Sequence, residues 1–307
     1  MESAAPPVAS NELLLKRIAD PKTLRHWLAT VEDRLKKSPS DRELCLRYAN
    51  LLRALGELTR ARVAFAALPT LPTPDLVRER ALAILSGEIL DWTDAAGPVP
   101  FVRLNDFLSE ERQAQLWDIV SRSPDFRAAR VSNDAAAPGR ADPAIRQAHI
   151  VRGASRIRDW FLPLIESAID RERVLPRLGL APFAVGDREL QITGHGDGGF
   201  FHMHKDSGHK RPERYLTYVY YFHRQPARFS GGELFLYDHD SNGRSSGAIA
   251  FTRLAPAHNS VVLFPSDRWH AVGDVTMNSS DPLDGRWTVN GWLHRRLDAE
   301  PQAQPSA

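Results

Sequence analysis

The sequence predicts an α+β protein in which a jelly roll of short strands, buttressed by helices, follows a small all-α N-terminal region. Three observations predict it. After Asp187, short runs rich in Val, Ile, Phe, Tyr and Trp follow one another, separated by turn clusters such as GDGG, FSGG, DHDSNG and NSSDPLDG. Two stretches of helical character stand before them, and residues from Asn11 to about Leu85 carry apolar positions three or four apart with no strand-like alternation.

In chain order, residues 1 to about 10 read as disordered, and the helical stretch that follows is broken by SPSD at 38–41 and by LPTLPTPD at 68–75. Tyr48, Ala49, Leu52, Gly56, Ala61, Phe65 and Leu68 resemble one tetratricopeptide helix pair. One such unit cannot make a solenoid, which needs about three, so a helical cap on the main domain is the simpler expectation. DWTDAAGPVP at 91–100 reads as a linker, giving a helical region at 1–95, a main domain at 96–298 and a disordered tail at 299–307.

From Phe101 the expectation is a strand and then a helix over SEERQAQLWDIVSRS, with Ser109 as its cap and two glutamates at its positive end. A second helix is expected over residues 155–170. Between them NDAAAPGRADPAIRQ is small, polar and punctuated by Pro and Gly, the composition of a loop and a candidate lid. The strands then run ELQIT, FFHMH, YLTYVYYF, ELFLY, AIAFTRL, SVVLF, WHAVGDV and RWTVNGWLH, spaced as in an all-β sandwich or jelly roll.

Composition removes several functions. Forty basic against 38 acidic residues leave a net charge of +2, without the clustered basic footprint of a protein that binds nucleic acid or an anionic membrane. Cys45 is the single cysteine, so neither an intramolecular disulfide framework nor a Cys-rich zinc site is expected. The N-terminus lacks a basic start followed by an apolar stretch, and no run approaches the roughly 18 apolar residues of a membrane span. These features point to a soluble cytoplasmic protein.

A metal would therefore need His, Asp or Glu. His204 and Asp206 lie two apart in a strand-like run, so both side chains leave the same face. His270, at the start of a later strand, could complete the set. Two histidines and a carboxylate on one face of an octahedron leave three positions open, the arrangement of non-heme Fe(II) oxygenases. An H-x-D pair arises by chance roughly once in such a chain, and a second one, His195-Gly196-Asp197, stands among glycines in an expected turn. On spacing the two pairs are equal; strand context selects the first. On the last strand, alternation places Arg286, Thr288, Asn290 and Trp292 on one face, a semi-polar surface opened by a cation suited to a carboxylate.

Four segments carry a family resemblance: LQITGHGDGGFFHMHKD, RYLTYVYYFH with FSGGELFLYD, FPSDRWHAV and RWTVNGWLH. Together the region from about Phe101 to Arg295 resembles the Fe(II)/2-oxoglutarate-dependent dioxygenases, in their prolyl-4-hydroxylase-like branch. That resemblance implies a double-stranded β-helix, Fe(II) held by His204, Asp206 and His270, and 2-oxoglutarate and O2 as co-substrates, with ascorbate as a reductant. It also implies that Arg286 pairs with the distal carboxylate of 2-oxoglutarate, that Tyr221 donates its hydroxyl to the same group, and that Leu234 lines the pocket.

The implied reaction is hydroxylation of an unactivated C–H bond on a prolyl or other amino-acid residue of a peptide or protein; a free amino acid or small metabolite is the alternative substrate. Asp206 favours hydroxylation, since related halogenating enzymes carry a small residue at that position. His195 departs from the pattern, standing where relatives often have tyrosine. The segment VTMNSSDPLDG is also longer than usual. Rival readings are a metallo-β-lactamase-like zinc site, whose H-x-H-x-D continues with a histidine where this chain has Ser207, and a cupin-type site recruiting His202. A non-catalytic interaction protein with a vestigial jelly roll is the third. Substrate contacts are expected from residues 134–146, 223–229 and the insertion after Val275.

Overall fold

The structure is a computed structural model that describes residues 20–71, 74–89, 96–123, 126–128, 142–208, 211–239 and 250–296. The expected disordered ends and most of the candidate lid lie outside these residues. Four helices come first: α1 (Pro21–Lys37), α2 (Arg42–Ala54), α3 (Leu58–Ala66) and α4 (Leu76–Ser86). The breaker segments end on aspartates that cap the next helix. Asp20, Asp41 and Asp75 accept hydrogen bonds from the backbone N–H of Thr23, Leu44 and Arg78, satisfying donors that a helix start leaves open. Gly56, at φ +79°, closes the turn between α2 and α3, a conformation that a side chain would disfavour.

Two antiparallel sheets follow. The larger has the order β1 (Val102–Leu104), β11 (Ser260–Pro265), β7 (Arg214–Phe222), β14 (Arg286–Arg295), β5 (Val185–His195), β4 (His149–Val151) and β2 (Phe126–Ala128). The smaller runs β10 (Phe251–Leu254), β9 (Leu234–Tyr237), β12 (His270–Val272), β6 (Phe200–His204) and β3 (Arg146–Gln147). Helices α5 (Glu110–Ser121) and α6 (Ser155–Arg171) cover the outer face of the larger sheet, with Ser109 capping α5 as the sequence suggested. A short helix, α7 (Val174–Arg177), follows α6.

Alternation divides the central strands between two environments. Tyr218, Tyr220, Phe222, Trp287, Val289 and Leu293 face outward into a core with Leu116, Ile119, Phe161 and Ile165 of the helices. The ring of Phe161 sits 6.1 Å from Tyr218 and 5.8 Å from Tyr220. Their strand neighbours Thr217, Val219, Tyr221, Arg286, Thr288 and Asn290 therefore point inward, toward the smaller sheet. There Tyr221, Val262 and Phe264 meet Leu234, Leu236 and Leu254 in a second core.

The N-terminal helices cover the outside of the smaller sheet. Leu24, Leu28, Leu51, Leu52 and Ala61 pack with Phe235, Tyr237, Phe251 and Ala271 in one buried cluster. A buried ion pair fastens this contact: Arg53 Nη1 donates to Asp238 Oδ1 at 2.6 Å and to Thr252 Oγ1 at 2.9 Å, while Nη2 donates to Asp238 Oδ2 at 2.5 Å. Of the tetratricopeptide-like set, Leu52 and Ala61 pack against the sheet, whereas Ala49, Phe65 and Leu68 pack with Ala81 of α4.

The segment after His270 differs from a plain loop. Val275–Met277 forms β13, which pairs with β8 (Phe229–Gly231) as a two-stranded ribbon, and Pro282–Asp284 form a 3-10 turn. Two of the expected substrate-contact segments, 223–229 and the insertion after Val275, meet in this ribbon. No helix is long and apolar enough to cross a membrane among the described residues.

Candidate metal centre and its cavity

His204 and His270 are direct partners in the antiparallel β6–β12 ladder, which brings together two residues 66 positions apart. Their rings lie 4.1 Å apart, centroid to centroid. Asp206 follows two residues after His204, anchored by backbone: the N–H groups of Asp206 and Ser207 both donate to Ser266 O, at 3.0 and 2.9 Å. The three side chains form the one group among the described residues whose donor atoms could hold a metal, all within 4.8 Å of one another.

Their geometry fits an ion in three respects. Nδ1 of His204 lies 2.8 Å from His202 O, and Nδ1 of His270 lies 2.9 Å from Arg268 O. A carbonyl only accepts, so each Nδ1 carries a proton and Nε2 is the nitrogen turned toward the carboxylate, the orientation that a metal ligand needs. Secondly, these Nε2 atoms converge on the carboxylate, His204 at 3.6 Å from Asp206 Oδ1 and His270 at 3.3 Å from Oδ2. Adjacent donors around an ion with bonds of about 2.1 Å stand about 3 Å apart, so little movement is required. Thirdly, the carboxylate is oriented: Thr217 Oγ1 donates to Asp206 Oδ2 at 2.8 Å and also contacts Ser266 Oγ at 2.8 Å.

The electrostatics agree. Burial is the largest single influence on Asp206 and disfavours its charge, but His270 and His204 together outweigh it and hold the carboxyl well below the usual range. Burial, with His270 adding to it, pushes His204 down to about 4, so its ring is neutral at physiological pH. Burial also opposes charge on His270, yet the Asp206 carboxylate raises its pKa above the ordinary value. In this arrangement a proton on His270 stands where a cation would serve the carboxylate better. Phe201 stacks on His204 with centroids 3.5 Å apart, and Phe264 packs edge-on against His270 at 4.8 Å, fixing both rings.

A cavity of about 500 Å³, counted with its open mouth, lies between the sheets in front of these donors. Gln191, Thr193, His195, Arg286 and Asn290 line it from the larger sheet; Phe201, Leu234 and Val272 line it from the smaller. Arg286 is buried at its inner wall, where Nε donates to Gly232 O at 2.7 Å and Nη1 donates to His195 Nδ1 at 3.3 Å. Gly232 is required there, since a Cβ would stand 2.6 Å from Arg286 Cδ on a backbone with φ +69°.

Tyr221 is absent from the lining but adjacent to it. Its ring lies beneath the Arg286 guanidinium at 5.0 Å, and its buried hydroxyl has no hydrogen-bond partner. Burial raises the pKa of that hydroxyl, so it keeps its proton as a donor.

The second H-x-D pair resolves differently from the turn read in the sequence. His195 is the last residue of β5, opposite Arg286 in the β5–β14 ladder, and is 3% exposed, so it does not face water. Burial, then Arg286 and Arg146, hold its pKa well below the ordinary value. Neutral, with Nδ1 accepting from Arg286, it carries its proton on Nε2, a buried atom with no partner. Asp197 points elsewhere, accepting from the backbone N–H of Met277 at 2.8 Å. His202, which a cupin-type reading would recruit, lies outside the donor group, its ring stacked on Phe200 at 4.4 Å.

Thr217 was not anticipated, and Arg146 was anticipated only as the end of the 134–146 segment expected to contact substrate. Thr217 shares the parity of Tyr221 on YLTYVYYF, a signal that alternation could have given; Arg146 sits on a two-residue strand with no local pattern.

Residues 190–294 match the model of the 2OG-Fe(II) oxygenase superfamily. An uncharacterized PKHD-type hydroxylase of Synechocystis is 39% identical over 141 residues, which are 43% of this chain and 46% of that protein. The chain thus spans about half the length of this curated relative. Among solved structures, a Trichoplax adhaerens prolyl hydroxylase in complex with a hypoxia-inducible-factor peptide fragment matches 64% of this chain and 83% of its own. Its TM-score is 0.46, at 18% identity. A Pseudomonas putida prolyl-4-hydroxylase matches 64% of this chain and 94% of its own, at TM-score 0.42 and 19% identity. The matched segment, residues 190–294, holds all three donors.

Proposed function

We propose that this protein is a 2-oxoglutarate-dependent dioxygenase that hydroxylates an unactivated C–H bond, with a prolyl or other amino-acid residue of a peptide or protein as substrate. The single observation that carries this reading is the pairing of the His204–Asp206–His270 donor face with a buried Arg286 across one cavity. A hydrolytic zinc site has no use for the arginine; a chelating dicarboxylate needs both. In fold terms, the two facing sheets are those of a double-stranded β-helix at 96–298, with residues 1–95 as a helical region and 299–307 as a tail.

Fe(II), when bound with 2-oxoglutarate and O2, supplies oxidising power by decarboxylating the co-substrate to succinate and CO2. The chain's own residues do the rest. His204, Asp206 and His270 hold the iron on one face, their orientation set by the carbonyls of His202 and Arg268 and by the Thr217 hydroxyl. Arg286 pairs with the distal carboxylate of 2-oxoglutarate, supported from behind by Gly232 O. Two unpartnered donors flank that position, the Tyr221 hydroxyl and His195 Nε2–H, and both gain an acceptor when the carboxylate arrives. Leu234 closes the wall. Ascorbate serves as reductant in this reading.

Anaerobic addition of Fe(II) and 2-oxoglutarate tests the site: a weak visible charge-transfer band is expected, lost in His204→Ala, together with slow uncoupled formation of succinate in air. Absence of both with added iron leaves the alternative of a vestigial jelly roll that acts as an interaction protein.

A further inference from the structure

The cavity holds a second arginine. Arg146 stands on β3, opposite Phe201 in the β3–β6 ladder, with its guanidinium 4.7 Å from that ring's centroid. Burial pushes its pKa down to about 10; Asp206 attracts its charge and Arg286 repels it, which places it in the field of the metal site. Its Nε is buried without a hydrogen-bond partner, and among the described residues no carboxylate lies within ion-pairing distance of it. Three fully buried arginines are served, Arg53 of α2 by Asp238, Arg253 by Glu233, and Arg286 by Gly232 O and His195, whereas Arg146 is half-buried in the cavity wall. A cation left in a low-dielectric wall with no counter-charge is costly, and the cost falls when a ligand brings the missing charge.

Formal charge leads to the same conclusion. A divalent iron, Asp206, a doubly charged 2-oxoglutarate and Arg286 sum to zero, so Arg146 is the uncompensated positive charge in the loaded cavity. Its planar fork matches a carboxylate with two parallel hydrogen bonds, and the flat contact with Phe201 holds the fork in place without consuming its donors.

We propose that Arg146 anchors a carboxylate of the primary substrate, so that this cavity selects an acidic amino-acid unit, one whose negative charge lies near the C–H bond to be oxidised. This rests on the oxygenase reading above and specifies its substrate class. The carboxylate is either the free α-carboxylate of an amino acid or C-terminal residue, or an acidic side chain beside the target.

Calorimetry on the full chain loaded with Mn(II), a redox-silent stand-in for iron, and with 2-oxoglutarate tests it with two matched pairs. One is N-acetyl-L-proline against N-acetyl-L-prolinamide; the other is the blocked tripeptide acetyl-Gly-Pro-Glu-amide against its Gln counterpart. In at least one pair the acid is expected to bind about tenfold tighter than its neutral twin, as a charge-assisted contact requires. The first pair reports an α-carboxylate and the second an acidic side chain. Arg146→Gln should abolish the preference and Arg146→Lys retain part of it, with affinity for 2-oxoglutarate within about twofold of wild type in both.

Three results overturn the proposal: no acid preference, or no binding of either acid, at millimolar probe; a preference that survives Arg146→Gln; or loss of 2-oxoglutarate affinity in Arg146→Gln as large as in Arg286→Gln, which would assign Arg146 to the co-substrate. Failure of wild type to bind 2-oxoglutarate at all sinks the oxygenase reading instead, and the acid–amide comparison on the Mn(II)-loaded protein then decides Arg146 separately.

Discussion

His195 and Arg286 stand opposite each other on neighbouring strands, and Arg286 Nη1 donates to His195 Nδ1 at 3.3 Å. This contact turns the histidine's remaining proton, on Nε2, toward no protein acceptor, so it is available to a ligand oxygen. Replacing His195 with Ala should raise the dissociation constant for 2-oxoglutarate about tenfold, the worth of one buried hydrogen bond, while leaving Mn(II) affinity in the absence of 2-oxoglutarate unchanged. Titration of both ligands by calorimetry checks it; an equal loss for both would mean that the ring only supports the fold.

The same histidine sets a pH dependence of stability. Burial and two arginines depress its folded-state pKa well below the ordinary value of about 6.5, so below about pH 6.5 the unfolded chain takes up a proton that the folded chain refuses. Its contribution is therefore complete above that pH and lost as pH falls. Urea unfolding of the metal-free protein at pH 7.5 and 5.5 should show a smaller loss in His195→Gln than in wild type, and identical losses would contradict this assignment.

Thr217 should govern the metal through Asp206. Thr217→Val keeps the shape but removes the donor to Oδ2, and metal affinity is expected to fall 10- to 100-fold, about the effect of losing such an outer hydrogen bond. Competition with a metal chelator measures this. A variant binding within twofold of wild type would show that Ser266 and the backbone orient the carboxylate without it.

Arg53 and Asp238 should couple the helices to the sheet. Removing either side chain strands a buried charge, so Arg53→Met and Asp238→Leu are each expected to destabilise by about 3–5 kcal/mol, without altering metal affinity at temperatures where the protein stays folded. The double change Arg53→Met with Asp238→Leu should recover much of the loss. Thermal and urea unfolding of the four proteins decide it, and additive effects would argue against a coupled pair.

Much of this architecture is written in local pattern. Period-two alternation on RWTVNGWLH separates Arg286, Thr288 and Asn290 from Trp287, Val289 and Leu293, and the structure puts the first set at the cavity and the second in the core. Aspartates at the ends of SPSD and LPTLPTPD mark helix starts because a short acceptor satisfies open N–H groups wherever it falls.

By itself, the sequence determined the helix-then-strand order, the inward parity of the last strand, and a short set of donors that included His204, Asp206 and His270. Strand context in the sequence already favoured the first of the two H-x-D pairs, and tertiary structure supplied the physical reason. Spacing is blind to the fact that Asp197 is taken by the backbone of Met277, or that β12 lies beside β6 in register to set His270 against His204. Tertiary structure also placed Arg146, which the edge strand β3 sets beside Phe201 in the cavity lining. Those are properties of packing across the chain, and no window of neighbouring residues encodes them.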